Sequence, residues 1–460
     1  MLRRYIGDKG FYKHLLKIAL PIMLQNGITN FVNMLDNIMV GSIGEAQMSG
    51  VAISNQLIFV FNLCLFGAVS GVGIFGAQFY GKGDRQGLKY SLRFKIILCL
   101  ILTVLGTAVF LTVGDNLISF YMQGEDNAAS ILATFKAAKS YLLIMLIGFI
   151  PFALTQSYSS ALRETGETAL PMKASFVAVS VNLVFNYLLI FGVDFINLRP
   201  MGVKGAAIAT VLSRFVEVLI VVCWTHKHKG KCPYAIGLFK NFSVPLPLVK
   251  NMLRKAMPLI LNEAFWSMGI ATVNQCYSER GLIVVAANNI SQTFWNLFSV
   301  IFLASGEAIG IIIGNTLGAC ELEKARTNSP KFMAFSFVSG IVVAILCVVS
   351  APFVPYLYNA SDNVRELATG LMLVTAISLP FNALAHSSYF IMRSGGRSFF
   401  TFIFDGGFMW FVSVPLGFML SRFTSLPILP LYFIVQAVYF IKGALGVIVV
   451  KRGRWIRNIV

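Results

Sequence analysis

The chain has 460 residues, of which 57% are hydrophobic and only 12% are charged, and its mean hydropathy is +0.75. Soluble proteins carry about 25% charged residues, so this composition excludes an ordinary soluble protein. The formal net charge of +18 does not indicate a nucleic-acid partner, because the basic residues gather in short clusters between apolar stretches.

Twelve apolar stretches follow one another along the chain, and each is long enough to cross a bilayer as a helix, which takes about 20 residues. The strands of a membrane barrel alternate over about 10 residues, whereas these stretches are longer and uniformly apolar. The sequence therefore predicts an all-α polytopic membrane protein with twelve transmembrane helices. The predicted spans are 13–40, 51–79, 92–114, 130–160, 170–192, 202–224, 253–278, 282–317, 331–351, 364–391, 399–421 and 429–450.

Basic residues concentrate in every second connection between these spans. The clusters precede the first span, follow the second, lie between the sixth and seventh, and close the chain, whereas the opposite loops hold acids such as Glu45 and Asp362. The positive-inside rule then predicts that both termini are cytoplasmic. We expect a multi-pass protein of the cell membrane, either inner or plasma. The basic residues that follow the second span are Lys82, Arg85, Lys89, Arg93 and Lys95.

The two halves of the chain resemble each other. The stretch Leu16–Gly81 recurs at Leu253–Gly318, at a constant offset of 237 residues without a gap. Pro21 matches Pro258 in this alignment, and the glycines at the ends of the two stretches also match. Two like apolar halves are typical of pseudo-symmetric membrane transporters. The predicted parts are an N-lobe of six helices at 1–225, a cytoplasmic basic linker at 226–252 and a C-lobe of six helices at 253–460.

Asp36 is the most informative polar residue inside the predicted spans. A charge at the bilayer centre costs roughly 2.5–3.5 kcal/mol on insertion scales, and no Lys or Arg lies deeper than Lys17 on the same helix. We therefore expect Asp36 to bind a proton or a small cation, with a structural role as the alternative. Polar residues at spacings of three and four, which share one helix face, precede it: Gln25, Asn26, Thr29 and Asn33.

Three further polar residues of the first half are predicted to lie at the depth of Asp36. With a rise of about 1.5 Å per residue, Asn182 and Asn186 of the fifth span and Thr210 of the sixth reach similar heights. Carboxylate, amide and hydroxyl oxygens are the ligands that hard cations prefer. The sequence therefore predicts a cation site in the N-lobe, formed by Asp36, Asn182, Asn186 and Thr210.

The second half holds three deep acids, on the seventh, eighth and eleventh predicted spans. Intramembrane acids usually face a partner, a cavity or water, so a cluster that binds a cation or substrate is predicted in the C-lobe. Two amide side chains lie close enough along the helices to join it. The predicted C-lobe residues are Glu263, Glu307, Asp405, Asn262 and Asn382.

The chain carries no motif for hydrolysis or for ATP binding: HExxH, GxSxG and the P-loop pattern are all missing. We therefore expect neither an enzyme nor a cofactor, and energy for transport would come from a gradient of Na⁺ or H⁺. The run Gly71–Gly76 fits GxGxxG by letter, but it lies inside an apolar stretch. Close packing of helices is the more natural interpretation of these glycines.

Several of these residues form motifs that resemble those of the multidrug and toxic compound extrusion (MATE) family. Asp36–Gly41 is similar to the acid-containing signature of its first helix, and Asn262 with Glu263 after Pro258 is similar to that of the seventh. Pro151, with Leu162-Arg163 and Gly166-Glu167-Thr168 after it, resembles a further element. So does Gly202–Thr210, with its Gly-Ala-Ala-x-Ala-Thr sequence.

The resemblance implies two six-helix lobes that form a V-shaped cleft. It implies antiport, in which Na⁺ or H⁺ enters while small organic, often cationic, compounds leave. By position, Asp36, Asn182, Asn186 and Thr210 correspond to the N-lobe cation site, and Glu263 to the C-lobe acid. Position 186 is Asn where some members carry a second acid, and Asn382 stands where some carry Asp. A monomer in the lipid bilayer, without a nucleic-acid partner, is expected.

Two other functions are considered. A flippase for lipid-linked or amphipathic molecules could use the same fold, but such proteins tend to line their cavity with Arg or Lys, and this chain has few basic residues in mid-span. A membrane-embedded transferase would need paired acids such as a DDxxD run, and the sequence has none.

Overall fold

The computed structural model describes residues 4–122, 128–192, 199–358 and 360–460. The described chain is helical and contains no strand. Eleven of its helices are long and apolar enough to cross a membrane. The seventh predicted span, 253–278, is not among these eleven, but it also forms a helix, whose first turns carry Lys250, Arg254 and Lys255. The predicted all-α membrane fold is confirmed.

The first half of the chain folds into seven helices in its described part, because the predicted fourth span is divided at Gly148. The amide of Gly148 donates to the carbonyl of Met145 at 2.9 Å, a tighter turn than the α-helical one. The helices are α1 (Lys9–Gly41), α2 (Glu45–Lys82), α3 (Arg85–Tyr121), α4 (Ala128–Ile147), α5 (Phe149–Glu164), α6 (Ala169–Phe191) and α7 (Val203–Lys227).

The second half begins with four long helices, α8 (Leu246–Ser278), α9 (Leu282–Gly318), α10 (Leu322–Ser350) and α11 (Asp362–Ser394). The eleventh predicted span, Ser398–Phe423, is not a uniform α-helix. It begins as α12 (Ser398–Phe402), passes through π-helical turns at Ile403–Gly407 and Met409–Ser413, and ends as α13 (Val414–Phe423). The last helix is α14 (Ile428–Lys451).

The chain divides into two compact units. Unit 1 consists of Met1–Met23, Ala77–Asp84 and Leu253–Val460, and unit 2 of Leu24–Gly76 and Arg85–Met252. In unit 1, α11 is central and packs against α9, α10 and α14; in unit 2, α7 packs against α4, α5 and α6. Two short segments of the first half, from α1 and α2, thus group with unit 1. The predicted lobe boundaries stay a prediction.

Within unit 1, α2 and α9 cross through residues that the sequence repeat relates to each other. A Cβ atom on Gly81 would collide with the backbone of Asn315, and a Cβ atom on Gly318 would collide with the backbone of Gln78. Gln78 and Asn315 stand at the same repeat position. The contact is therefore reciprocal, as in a two-fold interface, and the repeat glycines are required by this close approach.

Within unit 2, the GxGxxG run lets α5 approach α2. A Cβ atom on Gly73 or Gly76 would collide with the carboxylate of Glu164, which forms an ion pair with Lys95 of α3 at 2.5 Å. The side chains of Lys95 and Glu164 are 0% and 5% exposed. The glycines thus serve helix packing. Lys95, which the sequence places among the basic residues after the second span, lies in the interior of this unit.

Candidate cation sites

The four residues predicted for the N-lobe site lie together in unit 2. Nδ2 of Asn186 donates to Oδ1 of Asp36 at 2.5 Å and to Oδ1 of Asn182 at 3.0 Å. Nδ2 of Asn182 in turn donates to Oγ1 of Thr210 at 3.2 Å. Three helices, α1, α6 and α7, therefore bring a carboxylate, two amides and a hydroxyl into one chain of hydrogen bonds.

Small residues at the start of α7 permit this arrangement. A Cβ atom on Gly205 would collide with the backbone of Leu189, so α7 approaches α6 at a distance that only glycine permits. Asn182 and Asn186 are one helical turn apart on α6, and both are buried. The Gly-Ala-Ala-x-Ala-Thr sequence thus brings the Thr210 hydroxyl against Asn182.

One oxygen of the cluster is left over. Oδ1 of Asn186 is buried and accepts no hydrogen bond from the groups that the structure describes, whereas buried polar atoms nearly always have a partner. Beside it, the Asp36 carboxylate receives a neutral amide hydrogen and not an ammonium or guanidinium group at Oδ1. The cluster therefore combines one carboxylate with a spare amide oxygen, which is the chemistry that suits a small cation.

Sequence reasoning missed Tyr141 of α4. This tyrosine is buried, and its side chain lies close to Thr210 and to Asn55 of α2. Tyr141 therefore extends the cluster to two more helices. A tyrosine in an apolar span is common, so the sequence carried no specific signal for it.

The polar stripe of α1 does not act as one unit. Gln25 is buried and belongs to a separate network, in which it accepts a hydrogen bond from Nη2 of Arg163 at 2.7 Å and donates to Ser175 at 3.2 Å. Thr29 donates to the backbone carbonyl of Gln25 at 2.9 Å. Asn26 is half-buried, and Thr29 and Asn33 are exposed.

In unit 1, the structure brings together three of the five predicted C-lobe residues. Nδ2 of Asn262 donates to Oδ2 of Asp405 at 2.9 Å and approaches Oε1 of Glu263 at 3.5 Å. The Tyr389 hydroxyl donates to the same oxygen of Glu263 at 3.1 Å. Glu307 is half-buried on α9. Asn382 donates to Ser378 at 3.4 Å and lines a cavity of about 70 Å³ with His386, Tyr432 and Tyr439.

A basic residue that sequence reasoning passed over joins this cluster. Lys442 of α14 is buried, and its Nζ lies 2.5 Å from Oδ1 of Asp405. Lys442 is the only charged residue between Leu429 and Val450, in the last predicted span, and that isolation was the available signal. Among the described residues, no three His, Cys, Asp or Glu side chains are grouped to hold a metal ion.

Comparisons with known proteins agree with the repeat and the motifs. The MatE family profile matches residues 21–188 and 258–419. The chain is 24% identical over 450 residues to a probable multidrug resistance protein NorM of Thermotoga maritima, covering 96% of this chain and 93% of that protein. It is 24% identical over 423 residues to the multidrug resistance protein MdtK of Yersinia pseudotuberculosis, covering 91% and 89%.

Solved structures show the same fold. An outward-facing multidrug resistance MATE family transporter superposes with a TM-score of 0.85 at 20% identity and covers 98% of both chains. A MOP superfamily transporter from Pyrococcus furiosus, for which a different function is suggested, superposes with a TM-score of 0.86 at 20% identity, covering 98% of this chain and 97% of that one. At this identity the likeness concerns the fold alone.

Proposed function

Because the chain belongs to the MatE family, we propose that it is a secondary active multidrug efflux antiporter. It exchanges Na⁺ or H⁺ for small organic, often cationic, compounds by alternating access. Family membership confirms the resemblance that the motifs indicated, and it makes the chain a transporter. The curated relatives named above are multidrug resistance proteins, which supports the choice of cargo.

The observation that carries the coupling-ion part of the proposal is the Asp36 cluster. A proton or Na⁺ at the Asp36 carboxylate neutralises its negative charge. Without that cation, the carboxylate receives a hydrogen bond from the neutral amide of Asn186. The unpartnered Oδ1 of Asn186 and the Thr210 hydroxyl supply further oxygens. If the cation binds better in one of two states and cargo in the other, loading Asp36 shifts the equilibrium between them.

The second acid of the proposal is Glu263 in unit 1, whose carboxylate accepts from Tyr389 and lies beside Asn262. Asp405 belongs to the same cluster, while Glu307 and Asn382 stay predicted members. The protein is proposed to act as a monomer in the cell membrane with both termini in the cytoplasm, and it needs no cofactor other than the coupling ion.

A flippase for lipid-linked or amphipathic molecules is the alternative on this fold. It would offer buried basic groups to phosphate. Here Lys442 is engaged by Asp405 and Lys95 by Glu164, each at 2.5 Å. These contacts within the protein favour efflux of organic compounds over flipping of phosphorylated lipids.

Export of ethidium from energised vesicles tests the proposal. Asp36→Asn should abolish gradient-driven export while the protein still inserts and folds. Asp115→Asn is the matched control, since Asp115 is an exposed carboxylate on α3 that pairs with Lys139. Export by Asp36→Asn at the wild-type rate would refute the role of Asp36. Failure of the wild-type protein to export any organic cation, combined with transport of labelled lipid, would favour the flippase.

A further inference from the structure

The interior of unit 1 contains a cation, which is the ammonium of Lys442. The side chains of Lys442 and Asp405 are only 7% and 12% exposed, and Nζ lies 2.5 Å from Oδ1 of Asp405. A lysine in mid-span is costly, so its position requires a specific reason.

Aromatic rings complete the surroundings of this ammonium. Nζ of Lys442 lies 5.7 Å from the centre of the Phe404 ring, 5.8 Å from that of Phe408 and 5.7 Å from that of Tyr439. Aromatic ring faces attract Lys ammonium groups and ammonium ligands alike, and Asp405 adds a carboxylate to them here. Lys442 thus occupies a position that has the chemistry of a cation site.

The site is built by groups other than Lys442. Asp405 lies in the π-helical turn Ile403–Gly407, a distortion that often marks functional positions. Asn262 fixes this turn from α8, because its Nδ2 donates to Oδ2 of Asp405 at 2.9 Å and its Oδ1 accepts from the amide of Gly406 at 2.9 Å. The carboxylate would therefore keep its position if the ammonium were removed.

We propose that Asp405 forms the centre of a monovalent-cation site that the chain fills with its own Lys442 ammonium. The ammonium is a tethered competitor: an external cation, whether Na⁺ or a small organic ammonium, reaches Asp405 only when Lys442 moves away. No covalent bond is formed or broken in this step, and no proton is transferred. The inference rests on the proposed function in one respect, since it takes Asp36 as the residue that binds the coupling ion. Lys442 is then the residue that excludes cations from Asp405.

A purely structural ion pair makes a different prediction. Replacing both members of a buried pair by neutral residues is often tolerated, while removing one leaves a buried charge. A structural role therefore predicts that Lys442→Met is only less stable. A tethered cation predicts in addition that the vacated carboxylate binds a free cation, and that this binding disappears when Asp405 is also neutralised.

Equilibrium binding of ²²Na⁺ and of [¹⁴C]methylammonium to the purified full-length protein separates the two. All variants carry Asp36→Asn, which removes the proposed site in unit 2, and all retain Glu263, so that any cation bound by Glu263 is common to every variant. In this background, Lys442→Met should bind at least one of the two probes about tenfold more tightly, the usual worth of a charge-assisted contact. The double substitution Asp405→Asn and Lys442→Met should lose that gain.

Lys442→Gln serves the same purpose if Lys442→Met does not fold, because it also removes the ammonium from Asp405 but keeps a polar side chain at this position. The proposal is overturned if the folded variant binds neither probe better than its parent, or if the gain survives Asp405→Asn. The readout is binding in the absence of Asp36. Its failure is therefore distinguishable from failure of the proposed efflux function, which is measured by transport with Asp36 intact.

Discussion

Asn186 donates one amide group both to Asp36 and to Asn182, at 2.5 and 3.0 Å. The amide oxygen of the same side chain, Oδ1, therefore points away from those two contacts. Among the described residues, no group donates a hydrogen bond to it. A single residue of α6 therefore orients the carboxylate of α1 and also supplies a free oxygen beside it.

Thr210→Val should weaken binding of the coupling cation. The substitution keeps the side-chain shape but removes the hydroxyl that accepts from Asn182. One lost hydrogen bond is worth about 0.5–1.5 kcal/mol, so the cation concentration for half-maximal transport should rise about three- to tenfold. Thr225→Val is the control. Thr225 lies on the same helix, and its hydroxyl donates to the backbone carbonyl of Val221 in that helix. An equal effect of both substitutions would refute the site role.

Tyr141→Phe should change the same parameter, because it removes a buried hydroxyl close to Thr210 and Asn55. We expect a change of a few-fold, smaller than that of Asp36→Asn. Tyr158→Phe is the control, since the Tyr158 hydroxyl lies 3.0 Å from Nε2 of His226 and so has a different partner. A normal cation dependence in the Tyr141 variant would remove this tyrosine from the site.

Glu164→Gln should destabilise the protein, because it leaves the Lys95 ammonium buried without its carboxylate. Removing one partner of a buried pair costs about 3–5 kcal/mol, which thermal unfolding in detergent can detect. The double substitution Lys95→Met and Glu164→Gln should recover much of the loss. Glu279→Gln, which breaks the more exposed pair with Arg422, should change stability by less than about 1 kcal/mol. Equal melting of the two single variants would contradict this account.

Gly81→Ala and Gly318→Ala should each destabilise the crossing of α2 and α9. The colliding atoms belong to the backbone of Asn315 and Gln78, so they cannot turn aside as a side chain would. Overpacking of this kind costs about 1–3 kcal/mol. Gly27→Ala is the control, since a Cβ atom there meets nothing within 4 Å. Wild-type melting temperatures for both repeat glycine variants would contradict the reciprocal contact.

The basic linker predicted at 226–252 should be packed against α3 and not exposed to solvent along its length. Nε of Arg93 donates to the carbonyl of Leu238 at 2.8 Å and its Nη2 to that of Gly237 at 2.9 Å. Cys232 is buried in the same segment, and burial raises the pKa of its thiol. A raised pKa keeps the thiol neutral as the pH rises past the usual range, so the thiolate forms only in more alkaline solution.

Maleimide labelling of variants with one cysteine checks this prediction. The variant that retains Cys232 should react slowly at pH 7 to 8 and faster only at higher pH, whereas the variant that retains the exposed Cys320 should react readily. A membrane-impermeant reagent should label Cys320 only from the cytoplasmic side. Rapid labelling of Cys232 at neutral pH would mean that the linker is open.

The sequence predicted those features that depend on one helix at a time. Apolar length predicted the spans, and helical rise placed Asp36, Asn186 and Thr210 at one depth, where the structure joins them through Asn182. It did not predict how helices are rotated about their axes. Whether Gln25 faces Asp36 or Arg163, and whether Lys95 faces solvent or Glu164, depends on that rotation and not on depth.

The other contacts join residues that lie far apart in the sequence, so no local pattern predicted them. Lys442 and Asp405 belong to different helices, so no local spacing relates them, and the expectation of few basic residues in mid-span overlooked this lysine. The π-helical turn at Asp405 had no sequence marker apart from Gly406 and Gly407. The repeat, by contrast, predicted helix positions well. Its glycines mark the crossing of α2 and α9, which a single copy would not have indicated.

The most direct test of the central claim is a coupled flux measurement in proteoliposomes, with Na⁺ and H⁺ gradients imposed separately and an organic cation as cargo. The account predicts that one of the two gradients drives cargo uphill through the wild-type protein and the Asp115→Asn control, and that a cargo gradient drives that ion backwards. Asp36→Asn should lose both directions of coupling. Gradient-driven transport that persists at the wild-type rate in Asp36→Asn would contradict the claim that this carboxylate carries the coupling ion.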